Sequence, residues 1–196
     1  MTGVSSQPVG PETDPAAALG TGIRAERLRQ SMTLAQLAER TGLSPSALSQ
    51  IERGVTDPSI GSLRRIALAL QVPFFQFLLE RESPDPVVRK HERPTITFPN
   101  RALQYQLLTP NRRGPFEVLS MDLTPGAASG DAAMGHDSEE CMLVLSGGVE
   151  VEVAGVTYAL SAGDSISIQR NAPHRAVNVG RHSAEILMVI SPADTF

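Results

Sequence analysis

The sequence predicts a two-domain chain, all-helical at its N-terminal end and antiparallel β in the remainder. Apolar residues recur at helical spacing from Gly20 to about Glu80, and the period changes to two beyond residue 94, as in VEVEV (149–153) and SISI (165–168). Between them RESPDPVVRKHERP (81–94) combines three prolines with alternating charge and no apolar period. The expected division is a flexible tail over 1–19, a helical domain over 20–80, a linker over 81–94 and a β domain over 95–196.

The tail is assigned on its Gly, Pro, Ser, Thr and Ala content and its lack of apolar periodicity. Five short helices are expected after it. The first covers roughly Thr21 to Gln30. The second has Thr33 as its N-cap, with Gln36 three residues on completing a capping box, and ends at Gly42. Ser44 caps the third, which has Pro45 at the favoured first position and stops at Gly54. A fourth starts near Ser59 with Ile60, Leu63, Ala67 and Leu70 on one stripe, and a fifth, PFFQFLLE, starts at Pro73. In the β domain, Gly, Pro or Asn punctuates every eight to twelve residues, which describes an antiparallel sandwich or barrel.

Charge is unevenly spread. The net charge is −4, yet residues 20–81 carry eight Arg against five acidic side chains, a local +3. That excess admits DNA as a partner without requiring it. Cys141 is the sole cysteine, so no intramolecular disulfide forms, and strand alternation turns it away from Glu140 as an expected buried filler. The start MTGVSSQPVGPETDP has no apolar core of a signal peptide, and no apolar run approaches the ~18 residues of a membrane span. A cytoplasmic protein without a membrane partner is expected.

Thr33 to Gly54, TLAQLAERTGLSPSALSQIERG, sets two short helices about a glycine-containing turn, an arrangement that places a second helix in the DNA major groove. Leu34, Leu37 and Ala38 form one inner stripe, and Leu48 and Ile51 the other. Ser46, Ser49, Gln50 and Arg53 are left facing outwards, carrying groups that read base edges or clasp phosphates. The stretches TLAQLA, GLSPSALSQIERG and PSIGSLRRIALAL resemble the Cro/repressor-type, or XRE, helix-turn-helix family across residues 22–79. That resemblance implies a five-helix, lambda-repressor-like domain, phosphate contact by Gln36, and base contacts from Pro45, Ser46 and Gln50. Pro45 cannot donate, so base reading is expected from Ser46, Ser49 and Gln50, with Arg53 and Thr56 on phosphates and Glu52 in a structural role. The expected DNA-binding set is Thr33, Gln36, Ser44, Pro45, Ser46, Ser49, Gln50, Arg53 and Thr56. One such domain offers few contacts, so a homodimer on a palindromic operator is expected.

In the β domain His136 lies four residues before Glu140 and Glu140 seven before Gly147. Alternation puts Glu140, Met142 and Val144 on one face, and His174, Ala176 and Asn178 on one face of a later strand. These blocks resemble the two cupin motifs, which imply a double-stranded β-helix, jelly-roll-like barrel over residues 115–191. His136, Glu140 and Gly147 match the first motif, and Gly163, His174 and Asn178 the second. Met134 replaces the first metal-binding His, and Gln169 and Asn171 replace a Pro and a Gly. The expected pocket is Met134, His136, Glu140, His174 and Asn178. Two His and one carboxylate could hold Zn, Fe, Mn or Ni, and a metal-free ligand pocket is the alternative.

Together these readings predict a sequence-specific DNA-binding regulator, a repressor, whose cupin domain senses a small-molecule effector. A cupin-type dioxygenase or isomerase fused to a DNA-binding domain, and a DNA-binding module whose barrel only dimerises, are the alternatives.

Overall fold

In the computed structural model, residues 15–72, 75, 77, 85–98, 102–110 and 115–192 are described. Four α-helices come first among them: α1 (Pro15–Arg29), α2 (Leu34–Thr41), α3 (Pro45–Glu52) and α4 (Ile60–Leu70). The local signals act as read. Thr33 and Gln36 form the capping box, with the Gln36 backbone N–H donating to Thr33 Oγ1 (3.2 Å) and the Thr33 N–H donating to Gln36 Oε1 (2.8 Å). Ser44 and Ser59 cap α3 and α4 through their hydroxyls, and Gly42 ends α2 in the left-handed conformation.

The first helix differs from expectation. It begins at Pro15, about six residues before Thr21, within the stretch read as tail. Proline suits a first helical position, and Leu19 and Ile23, four apart, are both buried. Gly20 serves close packing: a Cβ there would run into the Ile51 carbonyl oxygen at the end of α3. The expected fifth helix lies mostly outside the described residues; Phe75 and Phe77 within it are buried.

Beneath the helices lies a charged pair. Glu52 accepts from Arg27 Nε (2.6 Å) and Nη2 (2.8 Å), and Arg27 Nη1 donates to the Met32 carbonyl (2.8 Å). This two-pronged contact ties the last turn of α3 to α1. Glu52 therefore has the structural role expected of it.

Residues 85–94 carry a single 3-10 turn at Lys90–Glu92, and nine strands follow among the described residues. β1 (Thr95–Thr97), β2 (Leu103–Leu107), β3 (Glu117–Leu123), β4 (Glu139–Ser146), β7 (Ser165–Ile168) and β9 (Ala184–Ser191) form one sheet in the order β1-β2-β3-β9-β4-β7. β5 (Gly148–Val153), β6 (Val156–Ser161) and β8 (His174–Val177) form the other, in the order β6-β5-β8. Every pairing is antiparallel. Leu119, Met121, Met142, Val144, Val149, Val151, Ile186 and Met188 fill the interior, each pointing in at period two. Among the described residues no helix is long and apolar enough to cross a membrane.

The Arg27–Glu52 pair generates a test. Replacing Glu52 by Gln leaves the guanidinium buried without its counter-charge and is expected to cost about 3 kcal/mol in urea unfolding followed by circular dichroism. A loss below about 1 kcal/mol, typical of an exposed pair, would show that the contact does not anchor α3.

Candidate functional site

Two sites emerge, one on each domain. On the helical domain, Leu37, Ala38, Leu48 and Ile51 are buried, which fixes the opposite side of α3 outwards. Ser44, Pro45, Ser46, Gln50, Arg53 and Thr56 are exposed and Ser49 is half-buried, and Thr33 and Gln36 are exposed as well. Arg53 Nε donates to the Ser49 carbonyl (3.1 Å), laying the side chain along the helix. Thr56 Oγ1 approaches Gln50 Oε1 at 3.4 Å. Because the Gln36 oxygen is used in the cap, its Nε2 donor is the end suited to a phosphate.

On the β domain, the three residues of the incomplete cupin signature meet between the two sheets. Glu140 is the second residue of β4 in the large sheet, His174 the first residue of β8 in the small one, and His136 lies in the loop entering β4. His136 Nε2 lies 2.5 Å from Glu140 Oε1, and His174 Nε2 lies 3.5 Å from Oε2. The imidazole rings stand edge to face, with centroids 5.1 Å apart. Glu140 and His174 are buried and His136 is nearly so.

Burial alone would push the Glu140 carboxyl up, but contact with His136 and His174 overrides it and holds the pKa down at about 2. For His174, burial pulls the pKa down while the Glu140 contact and charge, with the Ala172 carbonyl, raise it above 6.5 overall. That carbonyl lies 2.9 Å from His174 Nδ1, so the ring is held with Nδ1–H donating and Nε2 turned to Glu140.

The replaced motif positions have readable consequences. Asn171 stands at φ +61°, a left-handed conformation that asparagine tolerates, so it turns the chain where the family motif uses glycine. Its N–H donates to the His136 carbonyl (2.8 Å), and a Cβ at Gly135 would come within 2.4 Å of the Asn171 carbonyl oxygen. This close approach carries His136 to Glu140. Met134 pairs with His174 through the backbone, N–H to carbonyl in both directions (3.1 Å each).

Asn178 has a different task from the pocket role expected of it. Its Nδ2 donates to the Leu123 (2.8 Å) and His182 (2.9 Å) carbonyls, and its Oδ1 accepts from the Gly180 N–H (2.9 Å). Every polar atom of its amide is spent on neighbouring backbone. Cys141 also departs from expectation: it faces away from Glu140 as read, but it is exposed rather than a buried filler.

Two participants were not found from the sequence. Arg27, the partner of Glu52, reads as one of many charged residues on α1. Tyr105 on β2 is wholly buried, held up near 12 by burial, with Arg64 of α4 opposing and Glu140 adding to the rise. Neither lies in a motif that could have signalled it.

Two exposed helices about a tight turn, joined to a two-sheet β domain with a His-Glu-His pocket, define a helix-turn-helix and cupin chain. The helix-turn-helix family matches residues 23–77, and the cupin domain family matches residues 119–190. The chain is 31% identical over 179 residues to the HTH-type transcriptional regulator PuuR of Escherichia coli, covering 88% of this chain and 94% of that one. It is 26% identical over 172 residues to SutR of the same organism, covering 88% and 93%. In structure it resembles an HTH_3 family transcriptional regulator from Vibrio cholerae, with a TM-score of 0.69 at 23% identity, covering 90% of this chain and 96% of that one. The chain belongs to the XRE-type helix-turn-helix transcriptional regulators with a C-terminal cupin domain.

The buried carboxylate makes stability depend on pH in a definite direction. Glu140 is lowered from 4.5, so its contribution is present above that value and disappears as pH falls from 4.5 towards 2. His174 is raised, so its contribution is complete below 6.5 and lost as pH climbs past its folded value. In metal-free protein the Tm advantage of wild type over Glu140→Gln is expected to be greatest between 4.5 and 6.5 and to narrow on the acid side. A gap that stays constant down to pH 2 would mean that the carboxylate is not held ionised by its imidazole neighbours.

Proposed function

We propose that this chain is a DNA-binding transcriptional repressor that acts as a homodimer and adjusts its operator affinity to a small molecule held in the cupin pocket. The observation that carries the reading is the open polar row on α3, Ser46, Ser49 and Gln50, seated by a buried ion pair at the same helix's end. A helix carrying short hydroxyls and an amide on a rigid base suits major-groove reading. The local charge of +3 over 20–81 favours the phosphate backbone. Two-fold pairing would place two such helices about 34 Å apart on a palindromic operator. The relatives PuuR and SutR are HTH-type transcriptional regulators, which supports a regulator rather than a catalyst.

The pocket also fits a divalent cation. Its three candidate donor atoms lie within 4.8 Å of one another, and the set of two imidazoles and a carboxylate suits Zn, Fe, Mn or Ni. His136, Glu140 and His174 would hold the ion, which supplies a Lewis-acidic anchor for a ligand when bound. His174 Nδ1 on the Ala172 carbonyl fixes the ring for that purpose. A ligand preference of about 1 to 3 kcal/mol between DNA-competent and incompetent arrangements suffices for regulation.

Gln50→Ala is expected to cost about 1 to 3 kcal/mol on the selected operator and to relax preference at one base pair, measured by binding to a library of mutated duplexes. Undiminished discrimination at every position would remove α3 as the reading helix. For the pocket, Zn²⁺ titration of the full chain is expected to give one site per protomer, with affinity falling roughly a hundredfold or more in Glu140→Ala. Equal binding by the variant would exclude the His-Glu-His set as the metal site.

A further inference from the structure

Backbone geometry puts Met134 beside the His-Glu-His set. Met134 and His174 exchange two hydrogen bonds, N–H to carbonyl in both directions (3.1 Å each), and so form a directly opposed antiparallel pair. Partners in such a pair carry their side chains on the same face, with Cα atoms about 5.5 Å apart. His174 turns its Nε2 to Glu140, so the Met134 side chain projects to the side on which Glu140 lies.

The residues that follow Met134 agree with this placement. In extended chain, residues two apart share a face and the one between them is turned away. His136 reaches Glu140 through Nε2 (2.5 Å), whereas a Cβ on Gly135 would run into the Asn171 backbone. The stretch is pinned at both ends, at Met134 by His174 and at His136 by the Asn171 N–H, which donates to its carbonyl (2.8 Å). Around the carboxylate the surroundings are apolar and rich in sulfur. Glu140 lies between Ile168 and Ile190 in the sheet, and Met142, next along β4 on the same face, stands opposite Met188, all four being buried.

We infer that the Met134 thioether is a fourth donor to this site and gives it a preference for a soft monovalent ion, Cu(I), over divalent ions. The inference rests on the metal-holding role proposed above for His136, Glu140 and His174. A thioether is uncharged and polarisable, a good donor to Cu(I) and a poor one to Zn²⁺, whose protein ligands are thiolate, imidazole and carboxylate. Imidazole serves both ions, so the residue at position 134 decides between them. The His174 ring is set for either, with Nδ1 on the Ala172 carbonyl and Nε2 turned to the site.

The test is a pair of titrations of the full chain, with Cu(I) under anaerobic conditions against a competing chelator, and with Zn²⁺. Cys141, exposed and facing away from Glu140, is first replaced by Ser so that its thiol does not take copper. In that background Met134→Leu keeps the bulk and removes the sulfur, and is expected to weaken Cu(I) about tenfold or more while Zn²⁺ affinity stays within about threefold. Retained Zn²⁺ affinity also shows that the variant pocket is still assembled. X-ray absorption at the copper edge is expected to show a sulfur neighbour that is lost in Met134→Leu. Equal Cu(I) binding by the variant, an equal loss of both metals, or a sulfur signal that survives the substitution would each overturn the inference. Zn²⁺ binding without Cu(I) binding would overturn it and leave the metal reading standing. Failure of both ions to bind would remove the metal reading, and this inference with it.

Discussion

A charge removed from water must find its counter-charge inside the protein, and both domains of this chain are organised by that constraint. In the helical domain it acts through Arg27 and Glu52. The carboxylate sits at the last residue of α3, and its two oxygens each accept from the guanidinium, so the helix is fixed in rotation as well as in position. Apolar packing by Leu48 and Ile51 alone leaves a helix some freedom to roll. The fork removes it, and the outward row of Ser46, Ser49 and Gln50 follows as a consequence.

In the β domain the same constraint acts on Glu140, buried on β4 with its oxygens facing two imidazoles. One imidazole comes from the other sheet and one from a loop, so the carboxylate joins three separate stretches of chain. Their meeting depends on backbone detail: the left-handed Asn171, the Cβ-free Gly135 and the paired Met134 and His174 main chains. With two imidazole nitrogens facing it, the buried carboxylate has its desolvation offset within the fold.

Much of this architecture is written locally. Caps at Thr33, Ser44 and Ser59, the proline opening α3, and the alternation around Glu140 and His174 are properties of short stretches, and short-range hydrogen bonding and periodic burial act on them directly. Those same stretches specify the exposed α3 row and the identity of the His-Glu-His set. What only the tertiary structure decided are pairings between residues distant along the chain. Arg27 meets Glu52 across 25 positions, Asn178 is consumed by the Leu123 and His182 carbonyls, and Gly20 of α1 fits against the end of α3. The reason is physical: periodicity tells a side chain which face it occupies, but the partner it meets there is set by how faces from other segments are brought together.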